Sequence, residues 1–301
     1  HQKFRGKIEV FIIDGGSTDR TIEIAKSFKV KILKNPKRDA ESGKMIGLKN
    51  AISEYFMILD ADMDLCGDNY FNKLLKPLKE DQKIVGAYGK YVSYISDSFL
   101  TRFVTLDPIQ RDPLFRFLTV DPNKVLKEKR KGYWLCEYNL TKIVPHGFSL
   151  YRRKQLLDIK LDKRRKFMEL DTVCLFVKNG LKYFAYVPNA QLHHPFLKDL
   201  KMLIDKRIRN LRIQFFNQQD VREFTWIDFN NKLDILKIIL WLIYANSLVL
   251  PTMVGILRMI KYKSLIALYE PIFVWITTNL IIFVFLTEKE GRKLIYRGIF
   301  K

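Results

Sequence analysis

Short apolar runs alternate with helical patterns along the first sixty residues. Residues 8–13 form a strand-sized apolar run, and residues 18–28 then carry apolar side chains at helical spacing. A second strand-sized run at 30–33, a helical stretch around 44–53 and a buried-type strand at 55–59 follow. Strands that alternate with helices in this way are typical of an α/β fold with a mostly parallel sheet.

Two aspartates stand directly after predicted strands. Asp14 follows the first strand and Asp60 follows the third, and Asp62 adds a carboxylate two residues later. Because ligands of such sheets bind beyond the carboxyl ends of the strands, Asp14 and Asp60 are expected on one rim. The oxygens of Asp60 and Asp62 suit Mg²⁺ or Mn²⁺ held on a substrate diphosphate. Paired aspartates after a strand are also common in solvated turns. The prediction of a metal site therefore depends on their position at the end of a buried strand.

The turn after the first strand reads DGGSTD at residues 14–19. Ser17 or Thr18 can cap the following helix, and the exposed backbone amides can face a ligand. Neither GxGxxG nor GxxxxGK[ST] is present, which argues against a dinucleotide fingerprint and a P-loop. The sequence of this turn therefore indicates either a contact with a nucleotide or a helix cap with no role in binding.

Two uncharged runs change the composition near the end of the chain. They cover residues 238–257 and 271–287, and a basic stretch with Arg258, Lys261 and Lys263 separates them. A transmembrane hairpin would put this stretch on the far side of the membrane, against the positive-inside tendency. Helices that lie in the interface would keep it on the cytosolic side. A buried helical pair in a soluble protein is the third interpretation.

The charge balance is strongly basic, with 53 Lys and Arg against 32 Asp and Glu. This excess predicts an anionic partner, which is nucleic acid, anionic lipid or a phosphorylated substrate. Basic residues are spread along the chain and no nucleic-acid motif is recognised, so nucleic acid is not the predicted partner. Cys66, Cys136 and Cys174 form neither an even framework nor a CxxC pair, which predicts reduced thiols in a cytosol-facing domain. The polar start is not a signal peptide, so membrane contact is expected from the later apolar runs.

Three segments together resemble the nucleotide-binding half of family 2 glycosyltransferases, which have the GT-A fold. They are VFIIDGGSTDRT at residues 10–21, GK at 43–44 followed by LKNAI at 48–52, and YFMILDAD at 55–62. The resemblance implies a Rossmann-like α/β domain that binds a nucleoside-diphosphate-sugar. The implied contacts are Asp14, Gly15 and Lys44 at the nucleotide, Asp60 at the ribose or metal, and Asp62 at the metal.

A looser likeness follows at HGFSLYRR, residues 146–153, and at ELDT, residues 169–172. His146 stands in the segment that builds the family's acceptor side, so it is expected at the diphosphate or the acceptor. Asp171 is the candidate general base and Glu169 is its rival, because the family's Glu-Asp pair is degraded here. Such a carboxylate would take the proton from an acceptor hydroxyl during in-line attack on the anomeric carbon, which inverts its configuration. An acid at a helix N-terminus is the alternative.

The stretch YVPNAQLHHP, residues 186–195, resembles the family segment that ends in a histidine close to the site. His194, or His193 beside it, is the candidate for the metal shell or the diphosphate, and a packed or exposed histidine is the alternative. The QxxRW motif of processive polymerases is not found. Arg207 and Arg209 are expected on an amphipathic helix, where they bind diphosphate or lipid headgroups or form a solvated basic face.

The expected organisation is a catalytic GT-A domain at residues 1–230 and membrane-associated helices with a basic tail at 231–301. Family members begin with a strand ahead of the Asp14 strand, so a sheet without that central strand is expected. The favoured function is inverting, metal-dependent sugar transfer to a polyprenyl-linked or glycan acceptor at the cytosolic face of a membrane. A polyprenyl phosphate needs no base, whereas a sugar hydroxyl does. A catalytically inactive GT-A-like membrane anchor or binding module is the alternative.

Overall fold

The computed structural model describes residues 2–107, 113–144, 149–159, 161, 167–216, 222–228 and 231–300. The strands, in chain order, are β1 Phe11–Asp14, β2 Lys31–Lys34, β3 Tyr55–Met57, β4 Asp64–Leu65, β5 Ile84–Val92, β6 Leu126–Arg130, β7 Tyr133–Glu137, β8 Ser149–Arg152 and β9 Tyr183–His193. The α-helices are α1 Thr21–Ser27, α2 Ala40–Asn50, α3 Tyr70–Glu80, α4 Phe99–Thr105, α5 Pro113–Leu118, α6 Arg153–Asp158, α7 Glu169–Lys178, α8 Leu200–Asn210, α9 Lys232–Asn246, α10 Val249–Tyr262, α11 Glu270–Thr287 and α12 Lys289–Phe300. Shorter turns of helix are the 3₁₀ segments Pro122–Val125 and Leu265–Tyr269 and the π-helical segment Leu211–Phe215.

The early part of the chain forms the alternating strands and helices that its pattern predicts. β1 and β2 pair in parallel with α1 between them. α2 begins after Asp39, whose carboxylate accepts a hydrogen bond from the Ser42 amide, so the helix has a side-chain N-cap. The α/β prediction is confirmed in this region.

The larger sheet has the strand order β3-β8-β5-β9-β7-β6, with β4 paired to β9. The pairs β3–β8, β5–β8, β6–β7 and β7–β9 of this sheet are antiparallel, and the expected parallel pairing is found in the separate β1–β2 sheet. Two features produce the antiparallel pairs. β8 returns between β3 and β5, and β6 and β7 form a hairpin whose two-residue turn ends at Gly132 with φ +95°.

The core of this sheet depends on close approach of β5 and β9. A Cβ atom at Gly89 would lie 2.1 Å from the carbonyl oxygen of Ala190, so the position has no space for a side chain. The buried core includes side chains from both strands, from α3 and from α7, among them Ile84, Val85, Phe184, Val187, Leu74, Leu78, Val173 and Phe176. Glycine at residue 89 is therefore required by packing and not by backbone conformation.

Gly89→Ala is expected to lower the free energy of unfolding by about 1–3 kcal/mol or more, because the new methyl overlaps backbone that cannot rotate away. Chemical denaturation followed by circular dichroism measures it. Gly47→Ala is the matched control, since its Cβ would meet its nearest neighbour, the Phe56 ring, at 3.8 Å inside α2. The control is expected to be neutral or stabilising. Equal loss in both variants would contradict the packing argument.

The described residues divide into two compact units. The first comprises His1–Lys90 and Asn123–Leu192, and the second comprises Tyr91–Pro122 and His193–Lys301. This division differs from the boundary expected at residue 230. The difference arises because α4, α5 and α8 pack with the late helices, for example through a cluster of Leu100, Phe103, Val104, Phe196, Leu197, Leu203 and Phe273.

Buried charges hold the helices of the second unit together. Glu270 of α11 is fully buried and accepts bonds from Arg116 of α5, 2.5 Å away, and from Arg258 of α10. The Tyr244 hydroxyl of α9 donates to the same carboxylate at 3.1 Å. One carboxylate thus joins four helices, and removing it would leave two guanidinium groups without their shared anion in a buried place.

Some of these helices are apolar enough to meet a membrane. Among the described helices, Leu265–Thr287 has the length and composition of a membrane span, with 23 residues and a mean hydropathy of 1.7. α9 and α10 pass the same test only when taken together, and they are bent by 83° at the break between them. Core helices of soluble proteins also meet these criteria, so composition alone does not assign a span.

Candidate active site

β1 and β3 start at the same end of the first unit. The carboxylate of Glu9, two residues before β1, accepts hydrogen bonds from the Ser53 amide at 2.8 Å and the Ile52 amide at 3.3 Å, just before β3. Both strands lie under α2, where Gly47 approaches Ile13 of β1 and Phe56 of β3. Because the strands start together and run under the same helix, their carboxyl ends, and with them Asp14 and Asp60, lie on the same side.

The Asp14 carboxylate organises the turn that follows β1. It accepts hydrogen bonds from the Gly16 amide at 2.9 Å, the Ser17 amide at 3.0 Å and the Ser17 hydroxyl at 2.5 Å. Gly16 has φ +102°, a conformation that favours glycine. The bonds from Ser17, its hydroxyl first, lower the pKa of Asp14 below its ordinary value, and the Arg38 guanidinium acts in the same direction.

Ser17 and Thr18 do not cap the helix that follows this turn. α1 begins at Thr21, its N-cap residue is Arg20, and Arg20 makes no side-chain capping bond. Ser17 turns back to Asp14, and it is Asp19 that accepts a bond from the Thr21 amide at 3.0 Å. The prediction that Ser17 or Thr18 caps the helix is therefore wrong, because the helix starts at Thr21 and not at residue 18.

Arg38 lies beside the turn, and the sequence pattern did not select it. Its Cα is 3.5 Å from where a Cβ of Gly15 would stand, and its guanidinium nitrogen Nη2 is 3.5 Å from the corresponding point at Gly16. Arg38 has a left-handed backbone with φ +55°. In a sequence where Lys34 and Lys37 stand nearby, nothing distinguishes this basic residue, so the fold alone reveals that it faces the glycines.

Asp60 and Asp62 follow β3 in a tight turn. The Met63 amide donates to the Asp60 carbonyl at 3.1 Å, and β4 then pairs with β9. One carboxylate oxygen of Asp60 lies within 4.8 Å of one of Asp62, and Asp62 is exposed. Two hard oxygen donors at this spacing can share one divalent cation and leave its other positions open, so the donor set fits Mg²⁺ or Mn²⁺.

The structure brings Lys44 and Glu169 together across 125 residues of sequence. The Lys44 ammonium of α2 donates to Glu169 at the start of α7, with an N–O distance of 2.7 Å. The Glu169 side chain is 30% exposed, whereas Asp171, one half-turn later, is 6% exposed. Glu169 is thus the more accessible of the two candidate bases, and Lys44 contacts that carboxylate. Burial raises the pKa of the neighbouring Tyr151 hydroxyl, and the charge of Glu169 adds to the effect.

The two candidate histidines have different surroundings in the second unit. Nε2 of His193 lies 2.9 Å from Oδ1 of Asp97, and its ring packs on Tyr94 with a centroid distance of 4.2 Å. The ring of His194 contacts Phe196, with centroids 4.2 Å apart. Asp97 holds one ring nitrogen of His193, and the assignment of either histidine as a metal ligand stays a prediction. Asp97 itself carried no sequence signal, since it is 96 residues away.

The remaining predicted residues lie elsewhere. Arg207 and Arg209 are in the last turn of α8, which begins at the N-cap Asp199, and Arg209 is exposed. Their prediction as diphosphate or acceptor contacts stays a prediction. His146 lies outside the described residues.

Comparison with known proteins is consistent with the sequence resemblance. Residues 1–159 match the family model described as glycosyl transferase family 2. The chain is similar to glycosyltransferase GlyG of Streptococcus pneumoniae, with 26% identity over 193 residues that cover 62% of this chain and 60% of the relative. It is also similar to an uncharacterized glycosyltransferase of Rickettsia felis, with 23% identity over 71% of this chain and 39% of the relative. The chain therefore spans less than two thirds of either relative.

Solved structures give more distant likenesses. Mannosyltransferase PcManGT from Pyrobaculum calidifontis, in complex with GDP-Man and Mn²⁺, has 12% identity and a TM-score of 0.45, covering 96% of this chain and 70% of that one. Glucosyl-3-phosphoglycerate synthase from Mycobacterium tuberculosis, in complex with Mn²⁺, UDP and glucosyl-3-phosphoglycerate, has 18% identity and a TM-score of 0.43, covering 65% and 63%. The family match spans more than half of the chain and, with the α/β sheet, confirms the predicted GT-A class. The chain belongs to glycosyltransferase family 2.

Proposed function

We propose that this chain is a glycosyltransferase that takes a nucleoside-diphosphate-sugar at the carboxyl ends of β1 and β3. The observation that carries the proposal is the pair of carboxylates from Asp60 and Asp62, placed at the same end of the strands as the Asp14 turn. The family membership and the names of the curated relatives support it.

Asp60 and Asp62 are the proposed ligands of Mg²⁺ or Mn²⁺, and His194 is proposed as a further ligand from its place in the family-like segment. A divalent cation there would neutralise the charge of the departing nucleoside diphosphate. The chain's own contribution is to fix the carboxylates in a turn between β3 and β4, so that little reorganisation is needed when the donor arrives.

The Asp14 turn is the proposed nucleotide contact. Three hydrogen bonds hold the Asp14 carboxylate in place. Gly15 and Gly16 have no side chains, so a ligand can approach the backbone next to it. Arg38 adds a guanidinium that can meet a phosphate or a base edge. Lys44, which was predicted at the nucleotide, contacts Glu169, so we propose that it positions this carboxylate.

Glu169 is the proposed proton acceptor when the acceptor is a sugar hydroxyl. It is more accessible than Asp171, and Lys44 fixes its orientation. In-line attack by the deprotonated hydroxyl would invert the anomeric carbon. Asp171 is the weaker candidate for the base, because its side chain is buried in the first turn of α7.

A membrane-linked acceptor is the proposed substrate class for the other side of the reaction. The apolar helices of the second unit and the net charge of +21 suit an acceptor on an anionic surface, such as a polyprenyl-linked sugar or phosphate at the cytosolic face. A glycan acceptor is the alternative within the same function. Arg207, Arg209 and His146 are the residues proposed to meet its phosphate.

Calorimetric titration of the detergent-solubilised chain with UDP and with GDP, each with and without Mn²⁺, tests the proposal. The expected result is binding of one nucleotide that requires the metal and is reversed by a chelator. Binding without transfer to any acceptor would favour the inactive binding module. Absence of binding to both nucleotides would contradict the donor site, and binding of nucleic acid that survives chelation and falls steeply with salt would favour a different function.

A further inference from the structure

Three helices of the second unit expose apolar side chains along one face each. On α9 the exposed residues are Leu233, Leu236, Ile239, Leu240 and Ile243, and on α10 they are Val249, Leu250, Met253, Ile256, Leu257 and Ile260. Both sets recur at intervals of three and four residues, so each forms a continuous stripe. The opposite faces pack inward, through Trp241, Tyr244 and Ala245 on α9 and Pro251, Gly255 and Arg258 on α10.

The geometry of α9 and α10 does not suit a single crossing of a bilayer. The helices have 15 and 14 residues, or about 22 and 21 Å each, and the hydrocarbon core is about 30 Å thick. The 83° bend between them prevents the two from adding into one span. Exposed Leu248, Val249 and Leu250 stand at the corner, where a soluble turn would carry polar residues.

α11 is long enough to span, yet it has a helical companion along most of its length. Near its start Phe273 packs in one cluster with Leu203 of α8. Near its end Phe285 packs on Phe215 and Phe216, which follow α8. Just beyond α11, Glu288 pairs with Arg212 at 2.6 Å. α8 and its π-helical extension therefore lie beside α11 along most of its length.

This companion carries solvent-exposed charges that a hydrocarbon core would exclude. The side chains of Lys201 and Asp205 on α8 are 85% and 59% exposed, and Arg209 is exposed as well. A charged side chain at the centre of a bilayer costs about 2.5–3.5 kcal/mol or more. Since α8 must stay in water or headgroups over its length, α11 beside it cannot cross.

The outer face of α11 is nevertheless apolar. Ile272, Trp275, Phe283 and Leu286 are each about half exposed, at helical intervals, while Phe273, Val274, Thr277, Thr278 and Ile281 face the unit. A tryptophan on such a face is typical of the membrane interface. α12 follows with exposed Lys289, Arg292 and Lys293, and α10 ends with exposed Lys261. These cations complement anionic lipid headgroups.

We propose that α9, α10 and α11 lie in one leaflet of an anionic membrane, with their apolar stripes toward the acyl chains, and that none of them crosses it. The occupant of this surface is the lipid bilayer. The proposal rests on the part of the proposed function that places the chain at a membrane, and it adds that the chain is monotopic.

Single-cysteine labelling tests this topology. In a Cys66→Ser background, where Cys136 and Cys174 are buried, cysteine replaces Lys232, Lys261 or Lys293. The protein is added to preformed vesicles of phosphatidylcholine and phosphatidylglycerol and treated with a membrane-impermeant maleimide before and after lysis. We expect all three positions to react fully before lysis. Protection of Lys261→Cys alone would mean that α9–α10 and α11 both cross, and protection of Lys293→Cys alone would mean that α11 crosses. Either outcome overturns the proposal.

A double substitution tests whether the lipid bilayer covers this apolar surface. Val249→Asp together with Leu257→Asp is expected to reduce vesicle co-sedimentation more than about tenfold, because two exposed apolar contacts are replaced by charges. Leu140→Asp, at a leucine of the first unit that is also more than half exposed, is the control and is expected to bind vesicles unchanged. Lack of vesicle binding by the parent chain, with a dimer in light scattering that the paired substitution dissociates, would assign the surface to a second copy. The nucleotide titration in detergent is independent of lipid, so failure here is distinguishable from failure of the donor site.

Discussion

Asp62→Asn is expected to abolish metal-dependent binding of the nucleoside diphosphate. The substitution keeps the size of the side chain but removes one of two anionic oxygen ligands, and the remaining Asp60 carboxylate cannot balance a divalent ion on a diphosphate. Loss of a supporting residue outside the coordination shell already costs about 10–100-fold in metal affinity, so loss of a direct ligand should cost about 100-fold or more. Calorimetry with Mn²⁺ and the nucleotide that binds the parent chain measures the effect.

Asp64→Asn is the matched control for this experiment. Asp64 is also exposed and lies two residues further along, but it starts β4 and is not one of the paired carboxylates. The control should bind nucleotide and metal as the parent chain does. If both variants bind alike, whether normally or not at all, the metal is not held by the Asp60 and Asp62 pair.

Glu169→Gln is expected to lower the rate of transfer to a sugar hydroxyl by about 10²–10⁴-fold, because an amide cannot accept the proton. Donor binding should not change, because the proposed donor contacts are Asp14, Asp60 and Asp62, whereas Glu169 lies on α7 and contacts Lys44. Asp171→Asn should reduce the rate far less, and any loss should follow reduced stability, because that carboxylate is buried. Single-turnover transfer, with circular dichroism for folding, separates the two.

The expected transfer rate of Glu169→Gln depends on the class of acceptor. With a polyprenyl phosphate acceptor, the oxygen is already ionised and Glu169→Gln should transfer at the parent rate. With a hydroxyl acceptor, the same variant should fail. A larger loss in Asp171→Asn than in Glu169→Gln, with both proteins folded, would assign the base to Asp171.

The alternation of strands and helices in the first sixty residues could be predicted because it is local. Each strand there is a short apolar run that ends at a polar turn, and the Asp14 and Asp60 positions follow directly from where those runs stop. The predicted helix starts at residue 18 and α1 starts at Thr21, because Asp14 takes Ser17 into its own turn. Local side-chain hydrogen bonds thus set where the helix begins.

The arrangements that the sequence could not reveal are long-range. β8 enters the sheet beside β3 from about a hundred residues away, and its antiparallel direction depends on the path of the intervening chain. The contacts of Lys44 with Glu169 and of Arg38 with Gly15 join residues that are distant in sequence. Residue type indicates which side chains can do chemistry, but pairing between distant segments is set by how the layers pack.

The shared carboxylate of Glu270 has a consequence for the order of assembly during synthesis. Arg116 and Arg258 leave the ribosome before Glu270, and Arg116 does so more than a hundred residues earlier. Until α11 arrives, burying these guanidinium groups would cost several kcal/mol for each unpaired ion. We therefore expect the nascent second unit to stay open until α11 emerges, while the residues of the first unit, which end at Leu192, can already fold.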